Sequence, residues 1–345
     1  MFNRFKKPTF GLVLNGGGSR GAYQIGVLLA LKKYGLYDKC KCIAGGSVGS
    51  FVALIYLLND PLKAIEIWKE IDDNVIKSPK QGNFFSKLPI KGAGFFSREG
   101  VVNFINSNFD LEQFIRPSIP VYISCAKEDK DNSSKKRKDN ITYSPVYFKL
   151  SDYNKDEVMT ILLASSAIPL VYDKVEFRDD YYVDCLKADS EPYKALDNEE
   201  FDMLFVVPLT KKHNSMDYTS YKVPVIDFEL PSLVNMVSTL NLDMIDFTEQ
   251  KTDDYIVKGY LTAKAIFEEM KKQHLLHKPC SPRLINFLRR KRGKAKDLMN
   301  KIYSLESFNI DEESLHFERW TLDRVIEDFK KGKKEKWKMK SVMQN

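Results

Sequence analysis

Apolar runs alternate with polar, glycine-rich breaks along most of the chain, and the spacing predicts a repeating strand and helix pattern. Thr9 to Leu14 is a short apolar run that reads as a buried strand. Asn15-Gly16-Gly17-Gly18-Ser19-Arg20-Gly21 breaks it, and the stretch from Ala22 to about Lys33 reads as a helix ended by Gly35. Lys41 to Ala44 returns as a second strand, Gly45 to Gly49 forms the next break, and Ser50 to Leu58 is apolar all round, as in a buried helix. Strand, helix and strand within about 36 residues make one βαβ unit, so the two strands lie parallel and both glycine turns open on the same sheet edge.

The pattern continues with an amphipathic helix from Pro61 to Ile71 and a long Gly-, Pro-, Ser- and Phe-rich stretch over residues 76–98, read as a lid or a surface connection. A helix from Arg98 to Asn108 and a strand from Pro120 to Ala126 follow. Residues 127–140 are almost wholly polar and predict a hairpin tip or a disordered insertion. Tyr147 to Lys149 resumes a strand, Lys155 to Ala164 a helix, and Tyr181-Tyr182-Val183 a strand ending at Asp184. Strands at Met203 to Pro208 and Val223 to Ile226 complete an α/β fold with a mainly parallel sheet and helices on both faces; from Asp253 onward only helical patterning is expected.

With 345 residues, 43% hydrophobic and 12% aromatic, the chain suffices for a large core, and we expect an α/β domain over residues 1–270 with a mostly helical segment over 271–345. The longest apolar run, Phe51 to Leu58, is far short of the roughly 20 residues a membrane span needs. The basic Met1 to Lys7 followed by Phe10 to Leu14 superficially resembles a signal peptide, but its apolar part is too short, so a cytoplasmic or peripheral location is expected. Five scattered cysteines without CxxC spacing support neither a disulfide framework nor a zinc site.

Gly45-Gly46-Ser47-Val48-Gly49 is a GxSxG turn between a buried strand and a buried helix, the context in which such a serine is lifted clear of the sheet edge as a nucleophile. Gly45 and Gly49 remove side chains that would collide there, and the following helix aims its positive end at the same point. The alternative is a glycine-rich turn with Ser47 as a helix N-cap. Gly16, Gly18 and Gly21 fit GxGxxG, a dinucleotide-binding pattern, but that reading needs an acidic residue at the end of the second strand, where Gly45-Gly46-Ser47 stands instead; Asp38 lies at the strand's other end. In an acyl-transfer reading the backbone N–H groups of Gly17, Gly18 and Ser19 converge as an oxyanion hole beside Ser47. Arg20 then locks the loop through a carboxylate or lends positive potential near a phosphate.

A serine nucleophile needs a base. His274, His277 and His316 fall in the basic C-terminal segment; His213 sits in a polar loop, and Ser47, Asp184, His213 would follow the α/β-hydrolase order. Asp184, directly after a strand, is the other solution, a carboxylate whose basicity burial would raise; its bland alternative is a turn-forming aspartate.

Together GGGSRG (Gly16 to Gly21), GGSVG (Gly45 to Gly49) and ASSAIP (Ala164 to Pro169) followed by the Asp184 strand resemble the patatin-like phospholipase family in order and spacing over about 250 residues. The resemblance implies a three-layer α/β fold and hydrolysis of lipid acyl esters by a Ser-Asp dyad. Ser47 would be the nucleophile, Asp184 its base and the Gly16 to Ser19 backbone the oxyanion hole, with Arg20, Gly21, Gly45 and Gly49 in support and no metal or cofactor. One departure stands out: the family usually has glycine after the catalytic aspartate, and this chain has Cys185-Leu186, while Asp189, Ser190 and Pro192 keep the register. A catalytically silent lipid-binding protein is the alternative that Cys185 would favour.

The net charge of +7 is uneven: residues 271–345 carry 20 Lys and Arg against 10 Asp and Glu. Leu288-Arg289-Arg290-Lys291-Arg292 and the Lys-rich stretch from Lys330 to Lys340 around Trp337 suggest peripheral attachment to anionic lipid, with a solvated helical face as the alternative and no nucleic acid expected as partner.

Overall fold

A computed structural model describes residues 5–78, 94–129, 141–209, 218, 221–229, 246–276, 278–279 and 302–331. Nine strands form one sheet. In chain order the strands are β1 (Phe5–Lys6), β2 (Phe10–Leu14), β3 (Cys40–Gly46), β4 (Val121–Glu128), β5 (Tyr143–Lys149), β6 (Val175–Phe177), β7 (Asp180–Val183), β8 (Met203–Val207), β9 (Val225–Asp227), β10 (Lys278–Pro279) and β11 (Ile302–Tyr303). The sheet order is β11-β9-β8-β2-β3-β4-β7-β6, with β5 also on β4, and β1 pairs separately with β10. From β11 to β4 every pairing is parallel; β5, β7 and β6 are attached antiparallel. The expected mainly parallel α/β sheet is therefore present, with an antiparallel flank beyond β4.

The two faces of the sheet are covered unequally. Alternating side chains send Leu12, Ile43 and Phe205 to the face packed by α1 (Gly21–Lys33), α2 (Val48–Leu57), α3 (Pro61–Lys69), α7 (Lys155–Ser165) and the long helix α8 (Glu249–Lys272). Between α3 and α7 in the chain lie α4 (Asp73–Ile76), α5 (Glu99–Asn108) and α6 (Glu112–Ile115). Val13, Ala44 and Val206 point the other way, where the described cover is the short 3-10 helix Tyr193–Leu196 with Tyr218 and Tyr221. α2 is buried along its length, as its unbroken apolar sequence requires, and Asp60 caps α3 by accepting from the Leu62 and Lys63 N–H groups.

The C-terminal region is helical as expected over Glu249–Lys272 and residues 322–331, and two short strands are added to it. Ile302–Tyr303 adds a parallel edge strand beside β9, and Lys278–Pro279 pairs with Phe5–Lys6. Two-residue strands carry no periodicity, so patterning does not reveal them. Residues 302–331 return to the main core: Tyr303, Leu305, Phe308, Val325 and Phe329 are buried in it, and helical residues 322–331 bring Asp328 to Lys33 and Lys264. The expected lid or connection over 76–98 and the polar tip over 127–140 lie largely outside the described residues, as do Leu288 to Arg292 and Trp337.

Candidate active site

The registers around β4 bring the site together. β5 runs along one edge of β4 from Tyr122 to Glu128. The other edge is shared: β3 covers it up to Gly46 opposite Ser124, and β7 arrives from the opposite direction with Val183 opposite Ala126. Two strands thus approach head-on, and the residues that follow them, Ser47 and Asp184, both arrive beside Cys125. The Ser47 hydroxyl donates to Asp184 Oδ2 at 2.6 Å across 137 residues of sequence.

Ser47 has φ 51° and ψ −123°, a left-handed backbone for a non-glycine residue that costs about 1–3 kcal/mol and persists only where the surroundings enforce it. Ser165 Oγ accepts the Ser47 N–H at 2.9 Å and itself donates to the Ser124 carbonyl at 2.7 Å, while the Ser50 hydroxyl donates to the Ser47 carbonyl at 2.5 Å. A side chain at Gly49 would stand 2.0 Å from the Leu14 carbonyl oxygen, so only glycine lets α2 start this close to β2. Ser47 occupies the N-cap position of α2 but makes no side-chain capping bond; its hydroxyl is given to Asp184 instead.

Asp184 is fully buried, and burial pushes its carboxyl up to about 6, against the opposing pull of the Ser47 hydroxyl and the Leu186 N–H. Its two oxygens have separate tasks. Oδ1 accepts the Leu186 N–H at 2.9 Å, closing the turn expected of an aspartate at a strand end, and Oδ2 faces Ser47. The Asp184 N–H is tied to the Ala167 carbonyl at 2.9 Å. Cys185 has no left-handed backbone strain, and its side chain packs over Gly16 and Gly46, where a Cβ would come within 3.5 Å and 2.6 Å of the sulfur. The thiol fills space that those two glycines leave open.

The first glycine turn lies alongside. Gly18, at φ 61°, begins the short 3-10 helix Gly18–Arg20 that feeds α1, and it shares a cavity wall with Ser47. The Gly16 N–H donates to the Ser190 carbonyl at 3.3 Å and is committed there. Arg20 is buried, and instead of the expected carboxylate its Nη1 donates to the Leu209 carbonyl at 3.2 Å; among the described residues it makes no ion pair. Asp38 sits before β3, at the end away from both glycine turns, so the acidic residue of a dinucleotide site is missing. His213 and His277 lie outside the described residues, and neither His274 nor His316 bonds to Ser47 or Asp184. Among the described residues no group of His, Cys, Asp or Glu is arranged to hold a metal ion, and the four described cysteines are free thiols.

Above Ser47 opens a narrow apolar cavity of about 70 Å³, walled by Val48 and Phe51 of α2, Val101 and Phe104 of α5, and Ile168, Val171 and Tyr172 of the loop after α7. Its chemistry is that of a hydrocarbon-binding pocket with one polar end. Sequence reading missed Ser165, the acceptor for the Ser47 N–H, although it stands in the quoted ASSAIP stretch; a serine closing an otherwise apolar helix end was the available signal.

Residues 12–196, just over half of the chain and inclusive of both Ser47 and Asp184, match the family model for patatin-like phospholipase, and the chain belongs to that family. A 49-residue stretch is 47% identical to lysophospholipase NTE1 of Meyerozyma guilliermondii and a 48-residue stretch 52% identical to lysophospholipase NTE1 of Debaryomyces hansenii. Each match covers 14% of this chain and 3% of the relative, so the chain spans a small fraction of those proteins. The crystal structure of VipD from Legionella pneumophila is similar with a TM-score of 0.39 at 11% identity, covering 91% of this chain and 75% of that one. No helix among the described residues is long and apolar enough to cross a membrane.

Proposed function

We propose that this protein hydrolyses fatty acyl esters of phospholipids or lysophospholipids through a serine acyl-enzyme. The observation that carries the reading is the 2.6 Å contact between the strained Ser47 hydroxyl and the buried Asp184 carboxylate at the polar end of an apolar cavity. Membership of the patatin-like phospholipase family and the lysophospholipase names of the short matches support the lipid substrate class.

As Oγ attacks the ester carbonyl carbon, its proton passes to Asp184 Oδ2, and the carbonyl oxygen becomes an oxyanion held by N–H groups of the Gly17-Gly18-Ser19 turn. The tetrahedral intermediate collapses, and Asp184 returns the proton to the departing alcohol. Water then gives a proton to Asp184 and its oxygen to the acyl carbon; collapse releases the fatty acid and restores the Ser47 hydroxyl. A carboxyl near 6 is a stronger base than an exposed aspartate and is still mostly ionised at pH 7. The basic stretches toward the C-terminus are retained as a peripheral contact with anionic lipid.

The test is fatty-acid release from mixed phospholipid and lysophospholipid vesicles by wild type and Ser47→Ala in parallel. We expect release by wild type and a loss of at least about 10⁴-fold in the variant. Equal release by both removes Ser47 as nucleophile, and a His213→Ala variant as inactive as Ser47→Ala would replace the dyad by a triad.

A further inference from the structure

Among the described residues, Phe95 and Leu170 are two of the most exposed large apolar side chains, at 58% and 51%. Isolated exposed apolar residues are ordinary on protein surfaces, but three observations set this pair apart. The two are joined: the Phe95 N–H donates to the Leu170 carbonyl at 2.9 Å, and the Phe96 N–H to Val171 at 3.0 Å, so their loops form a short ladder. Asp173 and Arg98 fasten the same ladder, Asp173 Oδ1 accepting the Gly94 N–H at 2.7 Å and the Arg98 guanidinium donating to the Asp173 carbonyl.

The loop that carries Leu170 also borders the acyl cavity. Ile168, Val171 and Tyr172 of the same loop line the cavity, while Leu170 between them points to solvent. Finally, Leu170 has φ 75°, an outlier for a bulky residue, so the chain accepts backbone strain where it exposes an apolar side chain.

We propose that Phe95 and Leu170 form an insertion tip that docks the cavity mouth onto the surface of a phospholipid bilayer, delivering one acyl chain from the lipid directly into the cavity. The occupant follows from continuity: an apolar patch on the outer side of the loop whose inner side receives the acyl chain faces the phase from which that chain comes. This rests on the acyl-hydrolase reading above. It is independent of the basic C-terminal stretches, because the tip is uncharged and acts on zwitterionic lipid.

The experiment uses the full chain with Phe95→Ser, Leu170→Asn, the double variant and, as a control for exposed apolar area elsewhere, Ile141→Ser, which replaces a side chain 52% exposed. Asparagine is chosen because it tolerates the left-handed backbone. Each is assayed on phosphatidylcholine vesicles and on a soluble short-chain ester, and vesicle co-sedimentation is repeated in the Ser47→Ala background. We expect each single variant to lose about tenfold in vesicle binding and vesicle hydrolysis, in line with exposing one large apolar side chain again, with the soluble ester turned over as by wild type. An unchanged vesicle activity, an equal loss on both substrates, or an equal loss from Ile141→Ser overturns the proposal. So does a change in oligomeric state without a change in vesicle binding, which would assign the patch to a second copy of the chain. If wild type hydrolyses neither substrate the acyl-hydrolase reading fails, while the co-sedimentation arm still decides the docking surface.

Discussion

The protein carries two carboxylates that each join distant parts of the chain, and their surroundings are opposite. At the junction of β3 and β7, Asp184 is fully buried with a hydroxyl and one N–H as partners, and burial raises it to about 6. At the seam between residues 322–331 and the main domain, Asp328 meets Lys33 at 2.5 Å, Lys264 at 2.8 Å and the Tyr260 hydroxyl at 2.6 Å, and these partners hold it well below the usual carboxylate range. One site withholds cations and keeps a proton acceptor; the other supplies cations and makes a clamp. Among the described residues Asp184 makes no ion pair, and the pull of Lys187 on its charge is outweighed by burial.

The largest expected break in this contrast is Asp184→Asn. Removing the base should cost about 10³-fold in kcat. It should also stabilise the fold: with a folded value near 6 against an ordinary 3.8, ionising Asp184 opposes folding, so its contribution declines as pH rises from about 3.8 through 6. At pH 7 the asparagine variant should therefore gain on the order of 2 kcal/mol, measured by urea unfolding. A variant both less stable and inactive would make Asp184 a structural turn residue.

Next in size is the pH profile. The base must be ionised, so kcat/KM should rise about tenfold per pH unit below 6 and level off above it. A profile flat from pH 5 to 8 would detach Asp184 from proton transfer. The smallest effect is expected at the seam. Asp328→Ala should cost about 1–2 kcal/mol at pH 7, discounted because the side chain is 26% exposed, and leave the rate per folded molecule within about twofold. Its sign is the reverse of Asp184: the stabilisation is present above about 3.8 and lost as pH falls below it. Loss of activity without loss of stability would link the seam to the site.

Much of the architecture is readable from local signals. Apolar runs flanked by glycine turns give β2, α1, β3 and α2 within a residue or two of their observed ends, because each is buried and short enough to be delimited by its neighbours. GGSVG and the aspartate after Tyr181-Tyr182-Val183 pointed to the two residues that the structure brings into contact. What pattern cannot reveal is register. That β7 runs antiparallel to β4 and meets β3 along the same edge is a non-local fact, set by pairings between residues more than 50 apart. The same holds for Ile302–Tyr303, too short to announce itself, and for Arg20, whose partner turned out to be a backbone carbonyl on a distant loop. The packing of Cys185 over Gly16 and Gly46 likewise depends on three segments at once, so sequence alone shows the departure from the family pattern but not its accommodation.

The head-on meeting of β3 and β7 makes β4 a gauge for the site. Gly46, just before Ser47, is indexed to it at Ser124 and Val183, just before Asp184, at Ala126, with one residue left as the gap between them. Deleting or inserting a single residue there would shift the two by about 3.3 Å and turn one strand over relative to the other. The contact between Ser47 and Asp184 is therefore set in whole residues, and a change in the length of β4 at that point would pull the two side chains apart.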